Sequence, residues 1–147
     1  MPNAALLVPG LILLGGSALA ETTRPEIVEI RWSEDGSASA EFQIAPGRIV
    51  EWCSRLAPGQ SVQWQFDSTE PLNFNVHYHD GVVVRAPARL RSVARSSGVL
   101  DVSLERDYCW TWTNRSAAAT TSLKAGLRKT KREAPPPGAG LEARLGA

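Results

Sequence analysis

The only two imidazoles in the sequence, His77 and His79, stand two residues apart in LNFNVHYHDGVVV, residues 72–84. On an extended strand, side chains at i and i+2 share a face, with their bases roughly 6.5–7 Å apart. Two imidazoles so placed can share a copper or zinc ion, provided that further ligands reach it. Asp80 is adjacent but belongs to a turn signal. Asn73 and Asn75 share the histidine face and are poor ligands for a transition metal. With two histidines in all, a three-histidine site within one chain is impossible. A blue-copper centre needs two histidines, a free cysteine and usually a methionine, and the single methionine is Met1. The plain reading of His77 and His79 is a hairpin surface. The alternative is weak or dimer-bridged Cu or Zn binding.

Cys53 and Cys109 are the only cysteines. In an exported chain an even pair is most simply a disulfide, with free or metal-binding thiols as the alternative. The closed loop of about 57 residues would stabilise the fold by roughly 4 kcal/mol in the chain-entropy picture. A search for a nucleophile with a base and an orienting acid finds none. Ser92 to Ser97 have no histidine near them in sequence, and the carboxylates Asp67, Glu70, Asp80, Asp101, Glu105 and Asp107 are scattered. The chain is therefore read as non-catalytic.

Five tryptophans are present. Trp64, Trp110 and Trp112 alternate with polar residues and read as core. Trp32 and Trp52 are less determined. An exposed indole at either place could stack on a sugar ring of an envelope carbohydrate or anchor a protein partner. VRAPARLRSVAR carries Arg85, Arg89, Arg91 and Arg95 and reads as a solvated connecting segment, with an anionic partner as the alternative. Asn114-Arg115-Ser116 matches the glycosylation triplet, which matters only in a eukaryotic secretory pathway.

Residues 4–20 are uncharged and mostly apolar, and Ala18-Leu19-Ala20 has the small-x-small form of a signal-peptidase site. The run is short for a membrane span, and no Lys or Arg precedes it. It reads as a signal helix over 1–20, cleaved after Ala20, with an uncleaved anchor as the alternative. The protein is then periplasmic or secreted, with no stable membrane span after cleavage. The formal net charge is +1, so no field is expected that would attract nucleic acid. From Thr130 onward Pro, Gly, Ala and charge dominate, and residues 129–147 read as a disordered tail.

The segment between, 21–128, has a period of two. Val62, Trp64 and Phe66 alternate with Ser61, Gln63 and Gln65. Leu72, Phe74, Val76 and Tyr78 alternate with Asn73, Asn75, His77 and His79. Leu100, Val102 and Leu104 do the same with Asp101, Ser103 and Glu105, and Tyr108, Trp110 and Trp112 with Cys109, Thr111 and Thr113. Ile27–Trp32, Ser39–Ile44 and Ile49–Cys53 are less regular candidates. Turn signals at Asp35-Gly36, Pro46-Gly47, Pro58-Gly59, Asp80-Gly81 and Ser97-Gly98 punctuate the runs. The pattern predicts an all-β fold, an antiparallel β-sandwich or jelly roll. A hairpin turn centred on Asp80-Gly81 would set His79 opposite Val82 and His77 opposite Val84.

PGQSVQWQFDSTEPLNFNV (58–76) followed by YCWTWTN (108–114) resembles a GOLD domain. Gly59, Trp64-Gln65-Phe66 and Leu72 to Val76 match the strand pattern of the GOLD module in some lipid-transfer proteins. Tyr108, Trp110, Trp112 and Asn114 match the family's late aromatic strand. Cys53 and Cys109 occupy places similar to the disulfide of the Golgi cargo receptors, with Cys109 two residues nearer the tyrosine. The resemblance spans roughly residues 44–124. It implies a GOLD-like jelly roll with a contacting, non-catalytic role, and the coiled-coil stem and membrane anchor of the cargo receptors are missing. NVHYHDG and YCWTWTN are also similar to small exported proteins of Gram-negative bacteria, which implies the periplasm. The expected partner is a protein or envelope component of unknown identity, and the oligomeric state is open.

Overall fold

The computed structural model describes residues 24–131. The expected signal helix over 1–20, and the expected tail from residue 132 on, lie outside the described residues. Seven strands follow in chain order: β1 (Glu26–Glu29), β2 (Ser37–Ile44), β3 (Ile49–Leu56), β4 (Gln60–Asp80), β5 (Val83–Asp101), β6 (Arg106–Thr113) and β7 (Thr121–Lys131). No helix occurs among the described residues, so none there is long and apolar enough to cross a membrane. The all-β expectation agrees with this arrangement.

The strands form one continuous sheet in the order β1-β3-β6-β4-β7-β2, with β5 on the other edge of β4. All pairs are antiparallel except β1 with β3. The 21-residue β4 is the spine. Its first part, Gln60–Ser68, pairs with β7, its second part, Asn73–Tyr78, pairs with β6, and β5 follows it along nearly its whole length. The sheet bends over between these two parts and closes on itself as a sandwich-like half-barrel.

Ring contacts measure the bend. Phe66 and Phe74 are eight residues apart in sequence, roughly 26 Å on a straight strand, yet their ring centroids lie 4.9 Å apart. Trp64 and Phe74 approach to 4.7 Å. The turn-over falls where the β4–β5 register shifts, between Asp67 and Leu72. Pro71 lacks an N–H to give a ladder and suits such an irregularity. Ser68 Oγ donates to the carbonyls of Glu70 (2.8 Å) and Ala94 (3.0 Å), bridging both strands at the bend.

The core lies between the two leaves. Phe66 and Phe74 meet Trp112 at 5.7 and 5.5 Å, and Phe42 on β2 reaches Trp52 on β3 at 6.0 Å. Val62, Trp64, Leu72, Val76, Tyr108 and Trp110 are buried with them. The indole N–H groups of Trp110 and Trp112 are buried without an acceptor among the described residues. Each such orphan costs about 1–3 kcal/mol, and the packing of the rings has to offset it.

The structure differs from the sequence reading at several places. The hairpin turn is Gly81-Val82, not Asp80-Gly81: Asp80 pairs with Val83 and His79 with Val84. Gly81 takes φ 63° while Val82 stays out of the positive-φ region, the φ pattern of a type II′ turn, which wants glycine at its first central position. Ser97-Gly98 is no turn but lies inside β5, where Gly98 faces Trp64. A Cβ there would come within 2.4 Å of Trp64 Cζ2, so the glycine answers a close approach of the indole. The arginine-rich segment is strand, not connecting loop, and regular strand ends at Asp101, short of Leu104. Asn114 is fully buried and its Nδ2 donates to the carbonyls of Ile44 and Ala119, both at 2.8 Å, so the triplet is a structural element and not a glycan acceptor. In addition, β7 continues through Lys131, pairing Thr130 with Ser61 and Lys131 with Gln60.

Candidate contact surface on the β4–β5 ribbon

His77 and His79 lie on the outer face of the leaf built from β3, β6 and the second part of β4, their rings 5.5 Å apart. His77 is 8% exposed. Its Nδ1 sits 2.9 Å from Asn75 Oδ1 and 3.2 Å from Thr111 Oγ1. An amide oxygen only accepts, so Nδ1 carries the proton and the ring is held as a hydrogen-bonded structural group. Burial pushes the His77 pKa below its ordinary value; Glu51 opposes the shift and His79 adds to it.

Cys53 and Cys109 are register partners on β3 and β6 and are disulfide-bonded. The bridge staples neighbouring strands of one leaf and does not link the two leaves. His77 pairs with Cys109 on its other side. Among the described residues, the one group of three potential ligands close enough to share an ion is Glu51, Cys53 and Cys109. It excludes both histidines, and its two sulfurs are consumed in the disulfide. The expectation of Cu or Zn is therefore withdrawn.

Trp52 is 3% exposed and packs in the core, which removes it as a sugar platform or anchor. Trp32 is half-buried; its Nε1 donates to Ser54 Oγ at 2.9 Å, and Lys129 Nζ stands 4.5 Å from its ring centroid. Both handles of that indole are thus engaged inside the molecule. Carbohydrate binding through exposed tryptophan has no support in this arrangement.

Arg85, Arg89 and Arg91 all lie on β5, a strand that among the described residues is paired on one side only. All three are exposed. Arg95, further along, pairs with Asp67 at 3.5 Å, and at the hairpin end Arg106 pairs with Asp80 at 3.0 Å. Arg85, Arg89 and Arg91 enter no ion pair among the described residues. Arg89 stands opposite Asn75, on the outer face beside the histidines. The sequence did not single out Val82, Val83 and Val84. They form an exposed apolar tip, with Val82 fully exposed and Val84 53% exposed. The signal was present in the run VVV after a turn, but an exposed valine triplet reads the same as a buried strand start.

No family model and no curated protein matches the sequence. Among solved structures, the chain is similar to PliG of Aeromonas hydrophila, a periplasmic lysozyme inhibitor of g-type lysozyme, at TM-score 0.60 and 13% identity, covering 74% of this chain and 99% of that one. The pre-peptidase C-terminal domain of collagenase from Bacillus anthracis aligns at TM-score 0.49 and 5% identity over 74% and 96%. PliG of Salmonella Typhimurium aligns at TM-score 0.48 and 9% identity over 71% and 98%. At 13% identity, the first likeness establishes a shared fold.

Proposed function

We propose that this protein is an exported, non-catalytic β domain that binds another protein through the β4–β5 ribbon. The observation that carries the reading is the ribbon itself. Among the described residues, one edge of a 19-residue strand is open, three arginines on it have no ion-pair partner, and a valine tip stands at its hairpin end. Arginine is among the residues that protein interfaces favour, and the exposed valines at the hairpin end add apolar area for a partner to cover. The disulfide and the leader-like residues 1–20 support an oxidising compartment, the periplasm or the exterior. The GOLD-like kinship is a finer form of the same reading: its matching segments fall on β4 and β6, the strands that carry the core.

The A. hydrophila structure that shares the fold is an inhibitor of g-type lysozyme, so a g-type lysozyme is the first partner to test. Purified protein is titrated into a turnover assay of a g-type lysozyme on cell walls. Dose-dependent inhibition, lost in a Val82→Asp/Val83→Asp variant that keeps its melting temperature, is the expected result. Absence of inhibition and of binding would remove lysozyme as the partner. Unchanged inhibition by the double variant would move the contact away from the ribbon tip.

A further inference from the structure

A disulfide is reduced when a thiolate attacks one sulfur and the other sulfur leaves as a thiolate. Negative charge therefore both arrives and develops at the bridge. Cations beside the sulfurs favour these events, and anions oppose them. Cys53 and Cys109 alternate with the core residues Trp52 and Trp110, so their bridge lies on the outer face of the leaf. Cys53 is half-buried and Cys109 is 9% exposed. Attack thus falls on the Cys53 Sγ, and Cys109 is the leaving group.

The charges around the bridge are mostly negative. A side-chain oxygen of Glu51 lies within 4.8 Å of both sulfurs. Glu51 is two residues from Cys53 on β3 and shares its face. Glu29 on β1 is the register partner of Cys53 and is exposed. Neither carboxylate enters an ion pair among the described residues. Arg55 stands two residues beyond Cys53 on the same face, but it is engaged by Glu105 at 3.4 Å and Asp107 at 3.7 Å. His77, the register partner of Cys109 on β4, is buried, and burial disfavours its charged form. No free cation among these neighbours offsets Glu51 and Glu29.

We propose that Glu51, reinforced by Glu29, is an electrostatic guard that slows reduction of the Cys53–Cys109 bridge by thiolates. In the guarded reaction a thiolate of a dithiol attacks Cys53 Sγ. The electron pair of the old bond leaves on Cys109 Sγ, which takes a proton from water. The second thiolate of the dithiol then displaces Cys53 Sγ, which is protonated in turn. The protein gains two electrons and two protons, and the dithiol closes to a cyclic disulfide. A unit charge about 5 Å away changes the rate of the first step by about fourfold at the dielectric of bulk water, and by more at a half-buried site. The guard acts on the opposite side of β4 from β5, and the inference stands whatever the β4–β5 ribbon binds.

The test reduces the folded protein at pH 8 with excess dithiothreitol and counts free thiols over time by alkylation and mass spectrometry. Glu51→Gln is expected to speed reduction at least about fourfold, Glu51→Lys more, and Glu29→Gln less. Added salt should speed the wild-type reaction by screening like charges, and should affect Glu51→Gln much less. Tris(hydroxypropyl)phosphine carries no charge to be repelled on approach, so it should show a smaller difference between wild type and Glu51→Gln. A variant that merely loosened the β3–β6 pair would react faster with both reagents alike. Unchanged rates in Glu51→Gln, equal acceleration with both reagents, or a wild-type rate that falls with salt would overturn the proposal.

Discussion

At the residue scale, the His77 imidazole does structural work, and that has a pH signature. His77 is buried and hydrogen-bonded as a neutral ring, and its folded pKa lies below the ordinary 6.5. An unfolded chain takes up that proton near pH 6.5, while the folded one resists it. Stability from this group is therefore complete above pH 6.5 and declines as pH falls toward the depressed folded value. Denaturant unfolding between pH 7 and 5 should show falling stability, with a slope of up to about 1.4 kcal/mol per pH unit for one proton. His77→Gln should flatten that slope; an equally steep variant would assign the effect elsewhere. Alternation in the sequence placed His77 on the polar face correctly. It could not show that a polar face can be closed over by Asn75, Thr111 and the neighbouring disulfide, because those groups come from β4, β6 and β3. The pairing of Cys53 with Cys109 was open to the same reasoning. That they face each other across one strand pair, instead of spanning two leaves, depends on register that sequence alone does not contain.

The elements differ in how legible they were. β4 and β6 alternate cleanly because one side of each faces the core, and their strands were apparent. β5 was not, because Arg, Pro and Ser in VRAPARLRSVARSS are what a protected edge requires and also what a loop contains. The Ser97-Gly98 pair misled for a related reason. The glycine is there to admit Trp64 from the paired strand, a long-range demand that looks like a turn signal locally. A direct consequence is that Gly98→Ala should destabilise the protein by about 1–3 kcal/mol, the usual cost of overpacking. Trp64→Phe in the same background should restore part of the loss. Thermal melts of the three variants check this, and a neutral Gly98→Ala would mean that Trp64 does not lie over Gly98.

The molecule as a whole is one sheet wrapped around its longest strand. Because β4 serves β7 with one part and β6 with the other, a single bend near Pro71 brings both leaves together over the aromatic core. β5 bends with it and, among the described residues, remains open along its outer edge. That edge carries the arginines of the proposed contact surface, with the exposed valines at its hairpin end. Residue-resolved amide exchange across Val83–Asp101 of the free protein probes it most directly. The account predicts alternation: amides turned toward β4 exchange slowly, while those turned away exchange near the rate of an unstructured chain. Uniform protection along the strand would mean that the edge is already covered, and uniform fast exchange would mean that the segment is not a strand. Either result would contradict the account.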